Sequence, residues 1–266
     1  MSSITFSPEV VRSLEADDLE KLKSLLYDLN HQTSPVSELD KLLAHAIDHN
    51  AILSIDYLLA LGANPLSETA FEKLLGSSSF AAFQHLIKRG TLDINQNLDW
   101  LGTFLILAIK RNDLEHVSFC LEHGANPNLG LFARVWTALA TAAEYGASLQ
   151  IVEGLLSSGA DVKGSDALQT SAKKNRVDLM QALLNNGADI DEIGFEYCAT
   201  ELIADEAGSA LHYAVDGGSV DAMELLLKEG ANAGTKDAKG RTAAERGAEK
   251  GSDVALKVLQ VFSTTS

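Results

Sequence analysis

Four side chains in this sequence cover the usual groups of acid–base chemistry: Glu144, Tyr145, Lys173 and His212. A carboxylate, a phenol, an amine and an imidazole could pass protons at one site if a fold gathered them. His45 and His49 are four residues apart, a spacing that places two imidazoles on one helix face, as metal-binding pairs require. The HExxH pattern is absent, however, and no third ligand is identifiable from spacing, so neither metal nor cofactor is expected. No phosphate loop, GxGxxG turn or GxSxG elbow occurs, which leaves nucleotide binding and serine hydrolysis without support. Cys120 and Cys198 have no second Cys or His at zinc-like spacing. Reduced thiols in a cytosolic or nuclear compartment fit that pattern. Cys120 also occupies an apolar position in a recurring pair, as a core residue does and a nucleophile does not.

The elements that must position these groups show themselves by recurrence. A doublet of bulky apolar residues is followed three positions later by a chain-turning residue, as in Leu155-Leu156 before Gly159 and Leu183-Leu184 before Gly187. The second members are Leu26, Leu59, Ile87, Leu121, Leu156, Leu184, Leu227 and Leu259, separated by 33, 28, 34, 35, 28, 43 and 32 residues. Such recurrence marks a repeat array with a period of about 33. Each doublet closes an amphipathic stretch with helical apolar spacing, for example Ser148 to Leu156. Glycine then allows the left-handed backbone that ends a helix. Upstream of each stretch a shorter helix is expected, with Ala46, Ala108, Ala142 and Ala214 where neighbouring units must approach closely.

At this level the sequence resembles a known family. Gly159-Ala160-Asp161-Val162, Gly187-Ala188-Asp189-Ile190-Asp191 and Gly124-Ala125-Asn126-Pro127-Asn128 resemble the Gly-Ala-Asp-Val-Asn end of an ankyrin repeat. Ser209-Ala210-Leu211-His212-Tyr213-Ala214 is similar to its Thr-Pro-Leu-His start. The resemblance implies an all-α solenoid of about eight helix-turn-helix units with hairpin fingers, in a single domain over 1–266. The units are placed at about 7–30, 38–64, 68–90, 102–126, 137–161, 166–189, 208–232 and 240–262. The third departs most, with Gly76 and Ser77-Ser78-Ser79 where a helix former is expected. Ser7-Pro8-Glu9 has the makings of a helix start, and the first and last units read as polar capping repeats. The two 28-residue steps predict trimmed fingers, one of them at 157–166. The 43-residue step predicts a long acidic finger at about 189–208 that carries Phe195 and Tyr197.

The family's interaction surface lies on the fingers and the ends of the inner helices. Carried onto this sequence, it comprises Trp100, Lys110, Arg111, Arg134, Trp136, Glu144, Tyr145, Lys173, Lys174, Phe195, Tyr197 and Asp216. Lys110, Arg111, Lys173 and Lys174 also have a plainer reading as solvated helix ends, Trp100 and Trp136 as core, and the acidic finger as a loop that binds nothing. Lys and Arg total 21 against 37 Asp and Glu, a formal charge of -16 that repels nucleic acid and anionic membranes. The most apolar run, Trp100 to Ile109, falls short of the roughly 20 residues needed to cross a bilayer and reads as a buried helix. Met1 to Leu14 lacks the layout of a signal peptide. The expectation is a monomeric, non-enzymatic scaffold or adaptor. It would bind a protein through an acidic patch facing Lys110, Arg111, Lys173 and Lys174. The alternative is a small-molecule or catalytic pocket at the trimmed finger, walled by Arg134, Trp136 and the long finger, with Glu144, Tyr145, Lys173 and His212 as its acid–base groups.

Overall fold

The computed structural model describes residues 7–27, 36–74, 76–129, 137–194 and 207–265. These hold sixteen α-helices and no strand. They follow one another as pairs: α1 (Pro8–Glu15) with α2 (Leu19–Leu26), α3 (Val36–Asp48) with α4 (Ile52–Ala60), and α5 (Glu68–Leu74) with α6 (Phe80–Lys88). The later pairs are α7 (Phe104–Lys110) with α8 (Leu114–Glu122), α9 (Ala138–Tyr145) with α10 (Leu149–Ser157), and α11 (Ala167–Lys173) with α12 (Val177–Asn185). Next come α13 (Ala210–Gly217) with α14 (Val220–Lys228), and α15 (Ala243–Glu249) with α16 (Asp253–Thr265). Two compact units result, Met1–Asp93 and Ile94–Ser266. Within each, first helices pack on first helices and second helices on second helices.

Most of these helices are far too short to persist alone in water, so burial must hold them. The second helices bury a recurring triplet at i, i+1 and i+4: Ile151, Val152 and Leu155 in α10, Leu179, Met180 and Leu183 in α12, Ala222, Met223 and Leu226 in α14. The leucine doublets therefore mark the phase, but in α4, α6, α8, α10, α12 and α14 the first member is the buried one. In α2 and α16 the register is reversed, and Leu26 and Leu259 point inward. Among the first helices, α7, α9 and α13 are buried almost all round, six consecutive residues in each. Ala46, Ala108, Ala142 and Ala214 lie in that packing, none more than 6% exposed.

The third pair resolves the Gly76 to Ser79 irregularity. Those residues form the connection between α5 and α6, with a short 3-10 turn at Ser77–Ser79, so no helix former is needed there. The connections at 61–67 and 158–166 are short, as the 28-residue steps require.

Neighbouring pairs are stitched by side chains in the turn between first and second helix. Asp17, Asn50, Asn112 and Asn175 all have positive φ, between 49 and 57°. Each turns the chain and presents a side-chain oxygen to the second helix of a neighbouring pair. Asp17 accepts from the N–H groups of Leu53 and Ser54 at 3.0 and 2.8 Å. Asn50 accepts from Ala82 at 2.8 Å, Asn112 from Ser148 at 2.8 Å and Asn175 from Ala222 at 3.0 Å. The receiving helices α4, α6, α10 and α14 have no side-chain cap of their own, so the neighbour satisfies donors that a helix start leaves open. A second row runs along the connections. Asn95 bonds Gly124 and Asn126, and Asn128 bonds Gly159 and Asp161, through both amide atoms at 2.8–3.0 Å.

Asn112→Gly keeps the left-handed turn while removing the cap, and is expected to lower the unfolding free energy by about 1 kcal/mol. Asn112→Ala keeps a Cβ in the left-handed region without the polar side chain that lets Asn tolerate it, and should lose about 1 kcal/mol more than the glycine variant. Urea unfolding of the two variants measures both effects, and equal losses would count against the backbone contribution.

Candidate functional site

In the unit Ile94–Ser266, helices α7, α9, α11, α13 and α15 pack in succession, so the residues at their C-terminal ends form a row. Its first link is Lys110, whose Nζ lies 5.5 Å from the centre of the Tyr145 ring. Partial burial pushes the Lys110 ammonium below its ordinary pKa, and the ring face offers it a compensating negative quadrupole. Tyr145 is 51% exposed and so presents the other side of its ring to solvent. The next link is an ion pair, Lys174 Nζ to Glu144 Oε1 at 2.8 Å. Arg111 and Lys173 are exposed, and Lys173 makes no ion pair among the described residues.

The Lys173 carbonyl faces the other way and serves packing. Ser219 Oγ donates to it at 2.9 Å. A Cβ on Gly217 would sit 2.0 Å from that oxygen, so only glycine lets the end of α13 pass so close.

Two of the sequence-derived candidates are displaced from this surface. Asp216 was expected to face a partner, yet its side chain is only 8% exposed and is held by Arg246 and by Lys250. Arg246, itself 1% exposed, also reaches Asp237 at 3.4 Å, and Asp237 pairs with Arg241 at 2.8 Å. That buried network joins α13 to α15, and a carboxylate inside it has no contact left to offer. Spacing alone hid it, although Asp237 caps the turn before Arg241 by accepting from two backbone N–H groups at 2.9–3.0 Å.

His212 is likewise no proton shuttle. Its Nδ1 accepts from the Ser209 N–H at 3.2 Å and its Nε2 donates to the Arg241 carbonyl at 3.0 Å. Nδ1 thus caps the start of α13 while Nε2 ties that helix to the loop before α15, and both nitrogens of a 1% exposed residue are committed. Burial lowers the His212 pKa, opposed by the Arg241 carbonyl and the charge of Asp237. Cys120 is fully buried, and that burial, reinforced by Asp113, pushes its thiol up to about 12. Such a thiol stays protonated and inert.

Trp100 lies in a 3-10 turn, Asp99–Leu101, closed by a hydrogen bond from the Leu98 N–H to the Gly102 carbonyl at 2.7 Å. Its side chain lies outside what the structure describes. Arg134, Trp136, Phe195 and Tyr197 also fall outside the described residues, as do the walls expected for a pocket at 157–166. The base of the long finger is described. Gly194 N–H donates to the Gly208 carbonyl at 3.0 Å, which brings its two ends together.

Paired short helices, positive-φ turns and a Ser–His start bonded to the following unit together define the repeat. The family model for ankyrin repeats, in three copies, matches residues 74–166, 105–194 and 163–237. The chain belongs to the ankyrin-repeat family. Ankyrin arrays generally mediate protein–protein interaction, using extended surfaces built by the stacking itself. A comparison with curated proteins finds no match. No helix among the described residues is long and apolar enough to cross a membrane.

The pKa direction at His212 sets a pH dependence. The unfolded chain, at about 6.5, binds a proton more readily than the folded one. The stabilisation from neutral His212 is therefore complete above about pH 6.5 and is lost as pH falls through the lower folded value. His212→Gln should reduce the Tm at about pH 7.5, and its deficit should shrink at about pH 5.5. Thermal unfolding at both pH values checks this, and a deficit that grows in acid would reverse the assignment.

Proposed function

We propose that this ankyrin-repeat chain is a non-enzymatic interaction module of eight units. It holds a protein partner across the helix ends that carry Lys110, Arg111, Glu144, Tyr145, Lys173 and Lys174. The doublet phase passes through residue 93 with a 34-residue step, which supports treating the units as one repeat series. The observation that carries the functional reading is Tyr145, half exposed and backed by Lys110. A ring held in place on a surface loses little side-chain freedom on contact, the property that makes tyrosine an effective anchor. Around it these end positions carry four cations and one carboxylate, Glu144, which pairs with Lys174. On a chain of net charge -16, such a strip favours a partner with an acidic contact patch. Trp100, Arg134, Trp136, Phe195 and Tyr197 extend the same proposal onto the fingers. A buried thiol at Cys120 is compatible with a reducing compartment, cytosol or nucleus.

The acid–base alternative is weakened by the commitments of its own members. His212 is locked into the stack, and Glu144 is neutralised by Lys174.

Reversal of Lys110, Arg111, Lys173 and Lys174 to Glu should leave the helical signal intact and weaken partner capture about 10-fold or more at low salt. The difference should narrow as salt rises. Tyr145→Ala should cost more than about 1 kcal/mol of binding. Quantitative capture from native extract, followed by titration of the retained protein, measures both. Retention by the reversed variant at wild-type affinity would remove the proposed surface.

A further inference from the structure

The compact unit Met1–Asp93 holds a separate cluster of chemistry-bearing side chains. His45 lies near the end of α3, His49 just beyond it, and Glu15 is the last residue of α1, which packs against α3. Their ligand atoms, one from each residue, all lie within 4.8 Å of one another, and Glu15 Oε1 is 3.9 Å from His45 Nε2. We propose that Glu15, His45 and His49 form a three-ligand site for a late first-row divalent cation, with Zn²⁺ as its best fit and water in the fourth position.

Three features of the geometry support this. His49 Nδ1 donates to the His45 carbonyl at 3.0 Å, which fixes the ring tautomer and leaves Nε2 with a free lone pair. Histidine ligands to metals are commonly oriented in this way. His45 Nε2 is shielded from solvent and has no hydrogen-bond partner among the described residues, so a desolvated nitrogen stands 3.9 Å from Glu15 Oε1 with no hydrogen bond to satisfy it. Finally, α1 and α3 both end here, and the partial negative charge of helix C-termini favours a cation.

Two imidazoles and a carboxylate form a donor set suited to zinc, with ligand distances of about 2.1 Å and neighbouring ligand atoms about 3.4 Å apart in a tetrahedron. The Glu15–His45 separation needs little contraction to reach that. Glu15 and His49 are both exposed and can close the remainder by side-chain rotation. Lys73, a neighbouring cation, is paired with Asp48 at 3.1 Å.

The test is calorimetric titration of the tag-free, metal-stripped full chain with zinc chloride. One ion per chain is expected, with a raised Tm. His49→Gln and Glu15→Gln should each weaken binding about 10-fold or more. His123→Gln is the control. His123 Nδ1 bonds a helix carbonyl in the same way, that of Phe119 at 2.9 Å, but the residue belongs to no such cluster among the described residues, and its loss should change nothing. Titration of the wild type with Co²⁺ should give the intense visible absorption of a four-coordinate ion, a readout that does not depend on any variant. Absence of one-to-one binding, affinity unchanged in His49→Gln or Glu15→Gln, or only the weak band of the hydrated cobalt ion would each overturn the site.

Discussion

The structure depends on a debt that a single helix pair cannot settle alone. Each second helix opens with backbone N–H groups that need acceptors, and in α4, α6, α10 and α14 its own N-cap residue supplies none. The acceptor comes from the turn of a neighbouring pair, on a residue whose backbone is left-handed. Asp and Asn suit both demands, because they tolerate positive φ better than other residues with a side chain and carry an oxygen short enough to reach across. Turn geometry and helix capping are therefore one requirement, and it recurs with the repeat. The buried triplets add non-directional attraction, while the side-chain caps set the register in which neighbours meet.

The seam at α9 and α11 shows what happens when that residue is missing. Gly146 takes the left-handed turn there with φ 71°, and it has no oxygen to offer α12. Arg176, at the N-cap of α12, reaches back to the Ala147 carbonyl at 3.0 Å and pairs with Asp178 at 2.8 Å. Each partner's pKa moves in the direction that strengthens the charged pair, Arg176 up and Asp178 down, chiefly through their shared hydrogen bond. The stitch at this seam is ionic, and it lies beside the exposed Lys173 and Lys174. Two of the four cations of the proposed surface, Lys173 and Lys174, thus sit where the repeat departs from its own rule, beside Arg176.

Much of the fold was legible because its signals are periodic. The doublets located every second helix, and the 28-residue steps matched the two short connections. What remained hidden was the assignment of charges. Asp216 and Lys174 look alike in sequence, as polar residues at the end of a short helix, yet one belongs to a buried network and the other lies on the surface. The difference comes from Arg246, which belongs to a later helix pair. His212 was recognisable as part of a repeat start, but its commitment to Arg241 follows from how close α15 approaches. For Glu15, nothing in the spacing of His45 and His49 points to a residue on another helix.

These hidden partners obey a common offset. Glu144 and Lys174 are 30 residues apart, Asp216 and Arg246 are 30 apart, and Asn128 and Asp161 are 33 apart. Asp56 meets His85 at an offset of 29. In a stack, a residue's lateral neighbour lies about one period along the chain, so the period found from the doublets is also the distance at which charges should be paired. Where the long finger is inserted the offset stretches, to 46 for Lys173 with Ser219 and 47 for Asn175 with Ala222. The contact survives because the insertion adds chain without changing which helices are adjacent. Glu15 and His45 stand 30 apart, on first helices of neighbouring pairs, so the same offset that builds the structural ion pairs also brings the third ligand to the histidines.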